Sequence, residues 1–236
     1  LRPYIAGFFV FSDYMKSGLR MSALMELPVI SIMTHDSIGV GEDGPTHQPI
    51  EHLAALRSMP NYTVFRPCDT RETAAGWLIG LTKTTSPTAL ILTRQNLPLL
   101  DGTGKNALKG AYILKDCQGT PDVLLMASGS EVELIYKAYD VLAEKGVKAR
   151  VISMPSFELF EQQSKEYQQS VIPNEVRNRV AVEAASSFGW HKYVGLDGEI
   201  ISIDHFGASA PAGTLFKQFG FTVENVVEKA LKVVGK

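Results

Sequence analysis

The sequence predicts an α/β protein made of two three-layer α/β/α units with mostly parallel sheets, the first unit incomplete. Three observations carry that reading. Short, nearly continuous apolar runs recur: "VISIMT" (Val29–Thr34), "TALILT" (Thr88–Thr93), "DVLLMA" (Asp122–Ala127) and, more weakly, "RVAVEA" (Arg179–Ala184). Such runs fit strands buried on both faces. Amphipathic stretches alternate with them, as in βαβ units. The pattern stops over "LPLLDGTGKNALKGA", from Leu97 to Ala111, whose glycines and polar residues read as a connection between units. The division is therefore 1–97, a linker 98–110, and 111–236, with about four strands in the first unit.

The helices announce their ends. Asp69 and Glu72 resemble a capping box ahead of "TAAGWLIGL", in which side chains at the two positions satisfy free backbone N–H groups. Ser130 and Glu133 read the same way ahead of "LIYKAYDVLAEK", which Gly146 closes. Pro211 suits the first turn of a helix through "AGTLFKQF".

Composition excludes several function classes. The 236 residues carry a formal net charge of −2, with 45% hydrophobic and 20% charged residues. That balance gives no electrostatic basis for binding nucleic acid or an anionic membrane, and no apolar run is long enough to span a bilayer. Cys68 and Cys117 form no disulfide framework and no C-x-x-C pair, which suits a reducing, cytoplasmic setting. The opening "LRPYIAGFFVF" lacks an initiating Met and the build of a signal peptide. The chain reads as a piece of a longer protein.

The most informative stretch is "THDSIGVGEDGPTHQP", Thr34 to Pro49, in which Gly39, Gly41 and Gly44 spell G-x-G-x-x-G. A dinucleotide fingerprint would place its first Gly directly after the strand and its third at the helix start. Here "HDSI" intervenes before Gly39, and "PTHQP" delays the helix after Gly44. Glu42 and Asp43 would also repel a pyrophosphate from the cradle. What remains is a loop at the carboxyl end of a parallel strand, where open α/β sheets bind ligands. It carries His35, Asp36, Glu42, Asp43 and His47. Histidines pass protons or donate to oxyanions, and carboxylates accept from hydroxyls, so the set suits a hydroxylated, phosphorylated small molecule. No third ligand at helical or hairpin spacing completes a metal set. His52 reads as a half-buried helix residue, and His191 and His205 receive no role.

The whole loop, "THDSIGVGEDGPTHQPIEHLAALRSMPN", resembles transketolase. So do "FVFSDYMKSGLRMSALM", "RPCDTRETAAGW", "PTALILTRQNLP", "GSEVELIYKA" and "FGASAPAGTLFKQFGFTVENVV", so that the resemblance covers nearly the whole chain. "GEDGPTHQP" is shared with relatives such as deoxyxylulose-phosphate synthase; "THDSIG" and "TRQN" point to transketolase itself. The resemblance implies a thiamine-diphosphate-binding fold of the pyrimidine domain, followed by the family's C-terminal domain. It implies transfer of a two-carbon ketol unit from a ketose phosphate to an aldose phosphate, in a homodimeric cytoplasmic enzyme of the pentose phosphate pathway. Residue by residue, it implies that His35 and Arg94 bind the sugar phosphate. Asp43 binds a substrate hydroxyl, and His47 faces the reacting carbons and assists proton movement. Phe8, Phe11 and Tyr14, spaced by three as on a helix, would by spacing alone be a core stripe; the resemblance makes them the pocket of the cofactor's aminopyrimidine ring.

The family's activating glutamate, and the N-terminal domain that holds diphosphate and Mg2+ or Ca2+, match nothing in these residues. The expectation is a fragment inactive alone, with no metal ligands of its own; the alternative is a separate, non-catalytic binding or regulatory module. The resemblance gives the second unit packing and dimer contact but no essential catalytic group.

Overall fold

The computed structural model describes residues 1–236. The first unit runs β1 (Tyr4–Phe8), α1 (Ser12–Leu24), β2 (Ile30–Thr34), α2 (His52–Arg57), β3 (Thr63–Phe65), α3 (Thr70–Thr82) and β4 (Thr88–Leu92). Its sheet has the order β1-β2-β4-β3, and every pairing is parallel. Alternation along the strands sorts their side chains to two faces. Met33, Ala89 and Ile91 meet Leu19 of α1 and Leu53 of α2, whereas Ile30 and Leu90 meet Ala75 and Ile79 of α3.

The second unit runs β5 (Tyr112–Lys115), β6 (Val123–Ala127), α4 (Val132–Glu144), β7 (Ala149–Ser153), α5 (Phe157–Glu161), α6 (Lys165–Val171), β8 (Arg179–Val182), α7 (His191–Val194), β9 (Glu199–Ile201), α8 (Ala212–Gln218) and α9 (Val223–Val234). The sheet order is β5-β7-β6-β8-β9; only the edge strand β5 is antiparallel. Val123 and Leu125 point to α4 and α9; Leu124 and Met126 point to Phe157, Phe160 and Trp190. Both units are thus three-layered and mostly parallel.

The two sheets share one core. Ile30, Phe65 and Leu90 of the first belong to the same buried cluster as Leu125, Val180 and Val182 of the second. The glycine-rich connection is part of that packing: Leu100 and Ala107 are buried in it, and Thr103 donates its hydroxyl to Asp69 at 2.6 Å.

Several local expectations change. Asp69 caps α3 by accepting from the Glu72 N–H at 2.9 Å. The Glu72 carboxylate does not return to Asp69, however; it accepts from the N–H of Cys68 and from the hydroxyls of Tyr112 and Ser153. Ser130 and Glu133 form no capping box. A 3-10 turn, Gly129–Glu131, precedes α4, Ser130 donates to Glu131, and Glu133 pairs with Lys137. His52 is buried, not half-buried. Phe8, Phe11 and Tyr14 do not share one helix: Phe8 ends β1, Phe11 lies in the 3-10 turn Phe9–Phe11, and Tyr14 lies on α1.

Candidate functional site

Three adjacent parallel strands end together. Register pairs Phe8 with Thr34 and Thr34 with Leu92. The chain leaving β2 therefore puts His35 next to Phe8, and the chain leaving β4 puts Arg94 on the same rim. This is the carboxyl edge where parallel sheets collect ligands. His35 has φ +61°, a left-handed conformation costing about 1 kcal/mol or more for a residue with a Cβ. That turn folds the imidazole onto Phe8, with ring centroids 3.6 Å apart and planes 16° from parallel.

The rest of the loop returns over this edge. Gly41 and Gly44 both have positive φ, +85° and +77°, which suits residues without a Cβ. They let the loop lie against the second unit: a Cβ on Gly44 would meet Ser209 at 3.2 Å. Gln48 is buried and donates Nε2 to the carbonyls of Gly41 (2.8 Å) and Ala208 (2.9 Å). Ser209 donates its hydroxyl to the Glu42 carbonyl at 2.5 Å. Packing between the units thus fixes the loop's path.

This brings His47 over the aromatic row. Its ring stands edge-on to Phe11, centroids 5.4 Å apart. Phe11 in turn stacks with Phe8 and meets Tyr14, each at 6.1 Å. Phe11 and Tyr14 are exposed, Tyr14 at 86%. They form an open apolar wall instead of a core stripe, and such a wall fits a flat ring.

Both histidines are steered alike. His35 Nδ1 lies 2.9 Å from Thr34 Oγ1, and His47 Nδ1 lies 2.9 Å from Thr46 Oγ1. Each threonine occupies one ring nitrogen and leaves Nε2 free. Burial, then the positive charge of Arg94, lowers the His35 pKa below its usual 6.5, against the pull of Asp43 and Asp36. His35 is therefore largely neutral at pH 7. Asp43 and Arg94 are exposed, and both bear electrostatically on His35. His35, Asp43, His47 and Arg94 accordingly share one neighbourhood with the aromatic wall of Phe8, Phe11 and Tyr14.

Beneath the loop lies a buried charge network that the sequence reading missed. Asp36 accepts from Arg66 Nε at 2.8 Å. Arg66, fully buried, also donates to Glu131 (2.5 Å) and to the Ser128 carbonyl (2.9 Å). Glu183 takes a bidentate pair from Arg57 (2.7 and 2.8 Å) and the Trp190 indole N–H (2.8 Å). Burial alone would raise Glu183, but Arg57, Arg66 and Ser128 outweigh it and hold the carboxyl at about 2. Burial raises Glu131 despite the Arg66 opposite it. Two guanidinium groups, Arg57 and Arg66, thus face three buried carboxyls, Asp36, Glu131 and Glu183. The only local signal was "RPCDT", which reads as the approach to a helix and names no partner.

Fold and site together define a two-domain α/β unit that presents an aromatic wall beneath a loop of histidines and carboxylates. The profile of the family "Transketolase, pyrimidine binding domain" matches residues 1–99, and that of "Transketolase-like TK C-terminal domain" matches residues 110–222. Transketolase of Bacillus subtilis is 52% identical over 100% of this chain and 36% of its own length. Transketolase from Leishmania mexicana superposes with a TM-score of 0.96 at 43% identity, covering 100% of this chain and 34% of that one. Transketolase of Pichia stipitis in complex with sedoheptulose-7-phosphate superposes with a TM-score of 0.93 at 45% identity, covering 98% of this chain and 34% of that one. The chain belongs to the transketolase family, and carries that family's pyrimidine-binding and C-terminal domains. It spans about a third of the length of the curated relatives it matches.

Proposed function

We propose that this chain supplies the substrate loop and the ring-binding wall of a transketolase, which moves a two-carbon ketol unit from a ketose phosphate to an aldose phosphate. The carrying observation is the convergence of His35, Asp43, His47 and Arg94 on the wall of Phe8, Phe11 and Tyr14. The complex of the Pichia stipitis relative with sedoheptulose-7-phosphate supports the substrate class.

Arg94 holds the phosphate, because its planar fork can engage two phosphate oxygens. His35 shares that contact as a neutral imidazole that donates a hydrogen bond without adding charge. Asp43 accepts from a sugar hydroxyl and so reads its configuration. His47 faces the reacting carbons and exchanges a proton through Nε2, the nitrogen Thr46 leaves free. Phe8, Phe11 and Tyr14 hold the aminopyrimidine ring of thiamine diphosphate, which supplies the carbanion chemistry when bound. The diphosphate and its Mg2+ or Ca2+ fall to residues outside these 236, in a cytoplasmic homodimer.

A coupled assay tests the reading, with xylulose 5-phosphate, ribose 5-phosphate, thiamine diphosphate and magnesium. Turnover by a longer enzyme that includes these residues, and none by the 236-residue chain alone, is the expected pair of results. A longer enzyme that is folded yet silent would favour a non-catalytic module.

A further inference from the structure

We propose that Asp13, Glu51 and His52 form a binding site for a divalent transition metal of the zinc class, separate from the substrate loop's chemistry. His52 begins α2 and is only 5% exposed. Both of its ring nitrogens are buried, and neither has a hydrogen-bond partner. A buried imidazole with unmet nitrogens is costly, and an ion would take one of them, Nε2, while Nδ1 keeps the ring proton. Nε2 lies 3.2 Å from Asp13 Oδ2, and Nδ1 lies 3.8 Å from Glu51 Oε2. Both carboxylates are 61% exposed, so they are free to close on an ion arriving from solvent.

The three residues can each offer one ligand atom, all within 4.8 Å of one another. A tetrahedral ion bound at roughly 2.0–2.2 Å by imidazole and carboxylate spans a ligand–ligand edge of about 3.3–3.6 Å, close to the 3.2 Å between His52 Nε2 and Asp13 Oδ2. The exposed Glu51 closes as the third ligand, and water completes the shell. One imidazole with two carboxylates suits zinc and its neighbours better than magnesium, which prefers oxygen alone. The sequence offered no such set because Asp13 comes from a different element, the first turn of α1.

The back of the site is closed by Phe9, whose ring meets His52 edge-on at 5.6 Å. Asp13 lies between Phe11 and Tyr14 in the chain, and His52 follows the loop that carries His47. A bound ion therefore ties the aromatic wall to that loop.

The test is titration of the purified chain with Co2+, whose visible d–d bands report coordination, followed by competition with Zn2+. One equivalent should bind with the spectrum of a low-symmetry nitrogen–oxygen site, and Zn2+ should displace it. Zn2+ should also raise the thermal midpoint. His52→Gln should weaken binding by at least about 100-fold and abolish the thermal shift, while His205→Gln should leave both intact. Asp13→Asn changes an exposed side chain and should weaken binding by about tenfold or more, so it carries the same test should His52→Gln fail to fold. Equal binding by wild type and Asp13→Asn, or no cobalt spectrum at all, overturns the site.

Discussion

The buried charge network and the open aromatic rim meet at the end of β2, where Asp36 and His35 adjoin, and obey opposite rules. In the network, Arg66 and Glu183 are removed from water and every charged side chain is paired with an opposite charge, although Asp36 Oδ1, Arg57 Nε and Arg66 Nη2 are left without a partner. On the rim, Asp43, Phe11, Tyr14 and Arg94 face solvent, and His35 and His47 each keep one ring nitrogen free. Paired buried charges fix one arrangement of the two sheets, whereas unpaired exposed groups are available to a ligand. The contrast teaches that stability and chemistry are separable here, although Asp36 and His35 are neighbours in the chain.

The sharpest way to break that separation is Arg66→Met. It strands Asp36 and Glu131 as buried carboxyls, and a cost of about 3–5 kcal/mol is expected, read as a lower urea midpoint. Arg66→Lys should recover little, because one ammonium cannot span the same partners. On the rim, His47→Ala in a longer active enzyme should lower kcat by about 10²–10³-fold, with the melting temperature unchanged. A matching loss of stability would show the regions to be one.

The network should also be pH-sensitive in a stated direction. Glu183 sits at about 2 in the folded chain against an ordinary 4.5. Its depressed value contributes stability that is complete above pH 4.5 and lost as pH falls toward 2. The loss is on the order of 3 kcal/mol. Urea midpoints across this window should converge for wild type and Glu183→Gln; parallel curves would deny Glu183 the role. Smaller again is Arg94→Ala, which should raise KM for phosphorylated sugars about tenfold and leave unphosphorylated sugars nearly unaffected. Equal losses would remove Arg94 from the phosphate. The smallest expected effect is Thr46→Val, a two- to threefold fall in kcat, roughly the value of one neutral hydrogen bond that orients a ring.

The sequence made the rim far more legible than the network. β2, β4 and β6 stand out as continuous apolar runs because both faces are buried. β1 does not: "YIAGF" is an edge strand, mostly exposed, and carries a glycine. β3 has only three residues, too few for any period. The loop was readable because its chemistry is local, with two histidines, three acids and three glycines within sixteen residues. Arg66 was not, because its partners Asp36, Glu131 and Glu183 come from three distant segments. The misread start of α4 has the same root. Glu131 is drawn into the network, the chain tightens into a 3-10 turn, and the helix begins at Val132.

The Gln48–Ala208 and Ser209–Glu42 bonds have a consequence for recombining such enzymes. The loop that carries His35, Asp43 and His47 belongs to one domain, but its curvature is moulded by the other. On Gly207, a Cβ would fall 1.7 Å from the Gln48 amide, so the mould tolerates almost no bulk. A chimera joining this first domain to a foreign second one would inherit every side chain of the loop and still present them at the wrong pitch, unless the 207–212 segment travelled with the loop.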